Sequence, residues 1–103
     1  PWAGYLNLPR EVVVREDGEP VAYAGVWFVL DEGHITNIAV RPDRRGLGYG
    51  EKVTRAMIQL AADSGMNWMT LEVRRSNEIA QSLYRKLGFT HESTSYLYRD
   101  SGL

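Results

Sequence analysis

Apolar and polar positions along this chain follow two rhythms, short β-branched or alternating runs early and a 3.6-residue spacing in two later stretches. Glu11–Glu16 (EVVVRE) is β-branched and ends on Asp17-Gly18, a two-residue hairpin signal. Val21–Leu30 (VAYAGVWFVL) follows as its partner strand, and Gly25 inside it marks a bulge or a close approach of backbone. Asp31-Glu32-Gly33 makes the next turn and His34–Val40 returns as a third strand, so the first half reads as an antiparallel meander. Pro1–Pro9 has aromatics and turn residues without a period, and its conformation is left open.

Pro42 ends that pattern, and Arg41, Arg44 and Arg45 lead into glycines at alternate positions, Gly46, Gly48 and Gly50. Tyr49, Val53, Ala56, Met57, Leu60 and Ala61 then recur at helical spacing, which predicts a helix from Gly48 to about Ser64 with Gly65 as its C-cap. Asn67–Val73 alternates, with Met69, Leu71 and Val73 on one face and Trp68, Thr70 and Glu72 on the other. A strand, a helix and a strand in succession make His34–Val40 and Asn67–Val73 parallel neighbours. Asn77 is a good N-cap for Glu78–Leu87, where Ile79, Ala80, Leu83, Tyr84 and Leu87 fall at helical spacing, and Gly88-Phe89 stops it. Phe89–Tyr98 reads as one further, weaker strand with Tyr96 and Tyr98 on one face. The fold class is α/β with a mixed sheet, a meander followed by a β-α-β-α-β half.

Composition narrows the function. The 103 residues suit one domain, and 44% apolar with 24% charged residues is ordinary for a globular protein. A net charge of −1 provides no global attraction for nucleic acid or an anionic membrane, so neither is expected as a partner. The longest apolar run, Val21–Leu30, is about half of what a membrane span needs and reads as a buried strand. Zero cysteines removes a thiolate nucleophile and a zinc-thiolate site, and fits a reducing, cytoplasmic setting. His34 and His91, far apart, make a poor start for a metal site, so no metal is expected. Trp2, Trp27 and Trp68 are read as core or cleft wall.

The glycine turn at a helix start carries chemistry. A helix N-terminus presents unpaired N–H groups and the positive end of the dipole to an anion, and glycine removes the Cβ atoms that would keep a phosphate away. Gly46-Leu47-Gly48-Tyr49-Gly50 is not G-x-G-x-x-G, and no Gly-Lys-Ser/Thr follows. What remains is Arg45-x-x-Gly48-x-Gly50, together with Asn37-Ile38-Ala39-Val40, Leu71-Glu72-Val73-Arg74 and Asn77-x-x-Ala80-x-x-Leu83-Tyr84-x-x-Leu87-Gly88-Phe89. Over roughly residues 11–98 this set resembles the GNAT family of N-acetyltransferases, and within it is most similar to the RimI-type members, which acetylate the N-terminal amine of a ribosomal protein.

The resemblance implies a GNAT-like fold in which the strand matching His34–Val40 carries a bulge and splays from the strand matching Asn67–Val73. It implies that the pantetheine arm of acetyl-CoA, the acetyl donor, lies in that gap against the backbone of Ile38, Ala39 and Val40. Arg45 and the amides of Gly46, Leu47, Gly48, Tyr49, Gly50 and Glu51 would hold the pyrophosphate, and Asn77 would contact the cofactor. Glu72 falls where such enzymes have the general base and Tyr84 where they have the general acid. The acceptor implied is a peptide or protein N-terminus, such as that of a ribosomal protein. Measured against the family, the single domain spanning 1–103 is read as lacking the opening strand and helices and the last strand, leaving a sheet edge through which a homodimer could form. Tyr49 fills a loop position that is usually aliphatic in the family.

Elementary chemistry supports the two side chains independently. Acyl transfer from a thioester to an amine needs a neutral nucleophile and a proton for the departing thiolate. An α-amine of pKa about 7.7–8.0 is easier to neutralise than a lysine at about 10.4. A carboxylate at Glu72, desolvated beside Trp68 in a cleft, would be a better base, and a phenol at Tyr84 could face the same cleft. Without cysteine, direct attack in a ternary complex is favoured over an acyl-enzyme. The alternatives are a domain that binds acetyl-CoA but is catalytically idle and an acetyltransferase for small-molecule amines.

Overall fold

Asp17 and Gly18 both take positive φ, 52° and 82°, the backbone twist that a two-residue hairpin requires. The hairpin they close joins β1 (Leu8–Glu16) to β2 (Glu19–Val29), and β3 (Glu32–Val40) completes an antiparallel meander. The computed structural model describes residues 8–92 and 95–99. After β3 come a short 3₁₀ turn at Pro42–Arg44, α1 (Tyr49–Asp63), β4 (Trp68–Glu72), α2 (Glu78–Lys86), β5 (Thr90–Glu92) and β6 (Ser95–Arg99). The six described strands form one mixed sheet in the order β1-β2-β3-β4-β6-β5. β1 begins at Leu8, earlier than residue periodicity indicates, because pairing with Phe28 extends the ladder.

The helix signals act as the sequence indicates. Gly65, at φ 82°, follows the end of α1, and the amide of Met66 returns to Ala61 O at 2.9 Å. Asn77 Oδ1 accepts from the Ala80 amide at 3.1 Å, which caps α2. Gly88, at φ 105°, ends it.

One face of the sheet is the core. Ala22, Ala24, Val26 and Phe28 of β2, Ile35 of β3, Met69 and Leu71 of β4 and Tyr96 of β6 pack against Val53, Met57 and Ala61 of α1 and Tyr84 of α2. The opposite face carries Val13, Tyr23 and Trp27, which are 43%, 41% and 39% exposed. The reading of Val21–Leu30 as a buried strand holds at Val21, Ala22, Ala24, Val26 and Phe28 and is corrected at Tyr23, Trp27 and Leu30, which are exposed; Trp27 is therefore not a core residue. Trp2 lies outside the described residues. Ile79 is also corrected, because the first turn of α2 turns it away from the sheet and leaves it 87% exposed.

The stretch Phe89–Tyr98 is not one strand. It divides into β5 and β6, and β6 inserts between β4 and β5, antiparallel to both. Burial of Tyr96 against the core sets this arrangement, and the intervening polar stretch His91–Ser95 has no glycine or proline to signal a reversal.

β3 and β4 run parallel but pair only at Glu32–Trp68, Gly33–Met69 and His34–Thr70. On the other side of β3, Gly25 pairs with Asn37 and Val26 with Ile35, so Thr36 is an extra residue, a β-bulge. Gly25 serves this bulge directly. A Cβ there would meet Asn37 Oδ1 at 2.8 Å and Thr36 Oγ1 at 2.9 Å. Gly25→Ala should cost about 1–3 kcal/mol through overpacking. The expected result is a lower urea midpoint at an unchanged denaturant slope; an unchanged midpoint would show that the bulge yields freely.

Candidate functional site

Beyond His34 and Thr70 the parallel ladder stops, and the two strands diverge around a cleft of about 230 Å³. Its walls are Ile35–Ile38 on the bulged part of β3, Leu71–Arg74 at the end of β4, and Asn77, Ala80 and Tyr84 from α2. Gln81 fixes the loop between β4 and α2 by donating Nε2 to the carbonyls of Arg74 (3.2 Å) and Arg75 (2.9 Å). Tyr96 Oη donates to Gln81 Oε1 at 2.9 Å, so a buried tyrosine anchors that glutamine.

Glu72 and Tyr84 both line this cleft, from opposite faces of the sheet. Glu72 is the last residue of β4, on the face it shares with Thr70, and it is exposed. The expectation of a carboxylate desolvated beside Trp68 is corrected: Trp68 lies at the other end of the same short strand, in register with Glu32, and the described residues leave Glu72 open to solvent. Tyr84 rises from the core side, with its ring edge-on to Phe89 (centroids 5.7 Å apart, 61°) and tilted against Tyr96 (6.2 Å, 58°). Burial pushes the Tyr84 phenol above its ordinary range, so it keeps its proton at neutral pH. Its hydroxyl has no hydrogen-bond partner among the described residues. Since none of those residues leaves a fully buried polar side-chain atom unpaired, that hydroxyl opens into the cleft.

The glycine turn lies between the 3₁₀ turn and α1. Gly46 and Gly48 take φ of 79° and 87°, conformations that a side chain would strain. Gly48 is the N-cap of α1 without a side-chain bond, and the first amide of that helix to reach a backbone carbonyl is Lys52, on Gly48 O at 3.1 Å. The amides from Gly46 to Glu51 thus lack an acceptor among the described residues, and they stand at the positive end of α1. Gly50 lets α1 approach α2, since a Cβ there would already lie 3.6 Å from Leu83 Cδ2.

Three arginines surround the turn, and two are committed. Arg41 grips Asp43 with Nε and Nη2, both at 2.7 Å, and this holds the Asp43 carboxyl down at about 2. Arg44 pairs with Glu16 (2.8 Å) and Asp43 (3.1 Å). Arg45 is in no ion pair among the described residues; its Nε reaches Val40 O at 3.4 Å. The Glu51 side chain is held by Lys86 (2.8 Å) and Arg55 (2.9 Å), which leaves only its amide to the turn.

Of the residues singled out from sequence, Glu72, Tyr84, Ile38 and Asn77 meet in the cleft. Val40, Arg45 and Ala39 border a separate depression with Tyr23 and Arg41, and Ala39 is exposed on the far face. Periodicity did not single out Thr36, whose place on the wall depends on the bulge, or His34. The His34 imidazole shares a hydrogen bond with Thr70 Oγ1 (2.7 Å) through Nδ1 and pairs with Glu32 (3.2 Å) through Nε2, at the last rung before the strands part. His91 is exposed and stacks on Tyr96 at 4.8 Å.

The GNAT acetyltransferase family model matches residues 2–89. The chain is 41% identical over 88 residues to a protein of Bacillus subtilis (strain 168), covering 85% of this chain and 54% of that one. It is 38% identical over 85 residues to the [ribosomal protein bS18]-alanine N-acetyltransferase of Escherichia coli (strain K12), covering 82% of this chain and 55% of that one. The crystal structure of the ribosomal-protein-S18-alanine N-acetyltransferase from Escherichia coli superposes with a TM-score of 0.85 at 28% identity, over 93% of this chain and 70% of that one. The PaiA N-acetyltransferase of Thermoplasma acidophilum, in complex with coenzyme A, shares the fold at a TM-score of 0.79 and 14% identity, over 95% of this chain and 64% of that one. The chain spans just over half the length of the curated relatives it matches. With the family model matched over residues 2–89, the chain belongs to the GNAT acetyltransferase family.

Proposed function

We propose that this chain carries the acetyl-CoA site and the proton-transfer groups of an N-acetyltransferase whose acceptor is a protein N-terminal α-amine. The observation that carries this reading is the cleft between β3 and β4, walled by Glu72 from one face and Tyr84 from the other. The naming of relatives as bS18-alanine N-acetyltransferases supports a ribosomal protein as acceptor.

The thioester arm would enter alongside the part of β3 that pairs with no β4 residue, against Ile38, Ala39 and Val40, with Asn77 at its side. The amides of Gly46–Glu51 and the Arg45 guanidinium would receive the pyrophosphate. Glu72 takes a proton from the acceptor ammonium, directly or through water, and its exposure lets it pass that proton to solvent. The freed amine nitrogen attacks the thioester carbon, the tetrahedral adduct loses its second nitrogen proton to water, the carbon–sulfur bond breaks, and the Tyr84 phenol gives its proton to the departing sulfur. The tyrosine then recovers a proton from solvent. The products are the acetylated amine, free thiol and one proton. No step needs an enzyme nucleophile.

Glu72→Gln should retain acetyl-CoA affinity and slow the chemical step by about 10²–10⁴. Tyr84→Phe keeps the packing against Phe89 and Tyr96 and removes only the donor, so its loss should fall on kcat rather than on binding or melting temperature. Turnover with a bS18-type N-terminal peptide, cofactor affinity and melting temperature measured together check both. Unchanged turnover in both variants would favour the idle, cofactor-binding domain. A second expectation concerns the turn. Acetyl-CoA at about 100 times its dissociation constant should stabilise the fold by about 2.7 kcal/mol, and Gly48→Glu, which puts a side chain at φ 87° and a carboxylate in an anion site, should abolish the thermal shift.

A further inference from the structure

The glycine turn has little of its own to hold it. Arg45 through Gly48 are all exposed, two of them at positive φ, and α1 begins without a side-chain cap. One carboxylate grips the turn from outside. Glu16, the last residue of β1 before the Asp17-Gly18 reversal, receives the Arg44 Nε on Oε1 at 2.8 Å and the Tyr49 hydroxyl on Oε2. Arg44 stands just before the glycines and Tyr49 just after the second of them, so the two oxygens of a single side chain bracket the turn. Arg44 also donates to the Asp43 carboxylate at 3.1 Å and to its carbonyl at 3.3 Å. The support is rigid, because Glu16 sits in the β1–β2 ladder, paired with Glu19.

We infer that Glu16 and Tyr49 form a latch that sets the turn in its anion-receiving shape before the ligand arrives, making Tyr49 and Glu16 positioning residues for the coenzyme. This rests on the acetyl-CoA reading above and adds to it a tyrosine at position 49 wired to the neighbouring hairpin. The physical gain is preorganisation: a turn already fixed at both ends loses less freedom when its amides close on a pyrophosphate. The latch also neutralises Arg44, so the cation offered to the ligand is Arg45, on the side of the turn facing β3. The hydrogen bond from Tyr49 is the largest cause holding the Glu16 carboxyl below its ordinary range, with Arg44 next, so the latch stays ionised at neutral pH.

Tyr49→Phe, Glu16→Gln and the double variant test the latch, with coenzyme A titrated by calorimetry into each folded protein and the KM for acetyl-CoA read beside kcat. The expected result for Tyr49→Phe is a coenzyme A dissociation constant raised about 3- to 10-fold with KM rising in step, at a kcat unchanged within about twofold. The double variant should bind no more weakly than the weaker single one, because both remove the same contact. Trypsin, without ligand, should cleave after Arg44 and Arg45 faster in Tyr49→Phe than in the parent. A purely structural tyrosine would lower the melting temperature but leave coenzyme A affinity and KM as they are, and that outcome overturns the latch while the cofactor reading stands. Failure of the unaltered chain to bind coenzyme A would overturn the cofactor reading and the latch with it.

Discussion

The short length of the β3–β4 pairing is the constraint on which the rest of this molecule depends. Three rungs, ending at His34–Thr70, join the meander to the second half of the sheet. A fourth would close the gap. The bulge at Thr36 turns β3 away just past the last rung, and it exists because Gly25 on β2 has no Cβ to collide with Thr36 and Asn37. The cleft is therefore the result of one missing side chain on one strand and one extra residue on the next. Its floor is then supplied by α2, whose start is fixed by the Asn77 cap and whose loop is fixed by Gln81.

Opening a sheet in its middle gives a site with two unlike sides. On the core side, Tyr84 is surrounded by Phe89 and Tyr96, and desolvation keeps its proton in place. On the other side, Glu72 is in water, beside the His34–Thr70 pair. A donor and an acceptor of protons that differ this way in exposure suit a reaction in which one proton must be delivered inside and another discarded outside. The glycine turn adds a third element, an array of amides at a helix start. Its arginines are largely neutralised: Arg41 by Asp43, Arg44 by Glu16 and Asp43, with Arg45 left over among the described residues.

Much of the fold was legible where a local rule has one physical solution. Asp17-Gly18 could only be a tight reversal, Gly65 and Gly88 could stop helices by taking positive φ, and Asn77 could accept from its own helix. Gly25 announced a close approach, and Glu72 and Tyr84 came together as their motifs implied. Features decided by tertiary packing were not legible. The β5–β6 reversal is written in polar residues without glycine or proline, so burial of Tyr96 decided it. Ile79 keeps helical spacing yet faces outward, and Trp27 stands exposed on the face of the sheet opposite the core. The exposure of Glu72 depends on what covers the outer face, which no residue of β4 encodes. Glu16 gave no signal at all, since its meaning lies 33 residues away in Tyr49.

The central claim is that the turn before α1 and the parted edge of β3 together receive one acetyl-CoA molecule. The most direct measurement is a residue-resolved amide NMR titration with acetyl-CoA. The account predicts saturable shifts concentrated in Arg45–Glu51, in Ile38–Val40 and at Asn77, all following one dissociation constant, with β1 above Glu16 unaffected. Shifts confined to other surfaces, or a turn that stays silent while β3 responds, would contradict it.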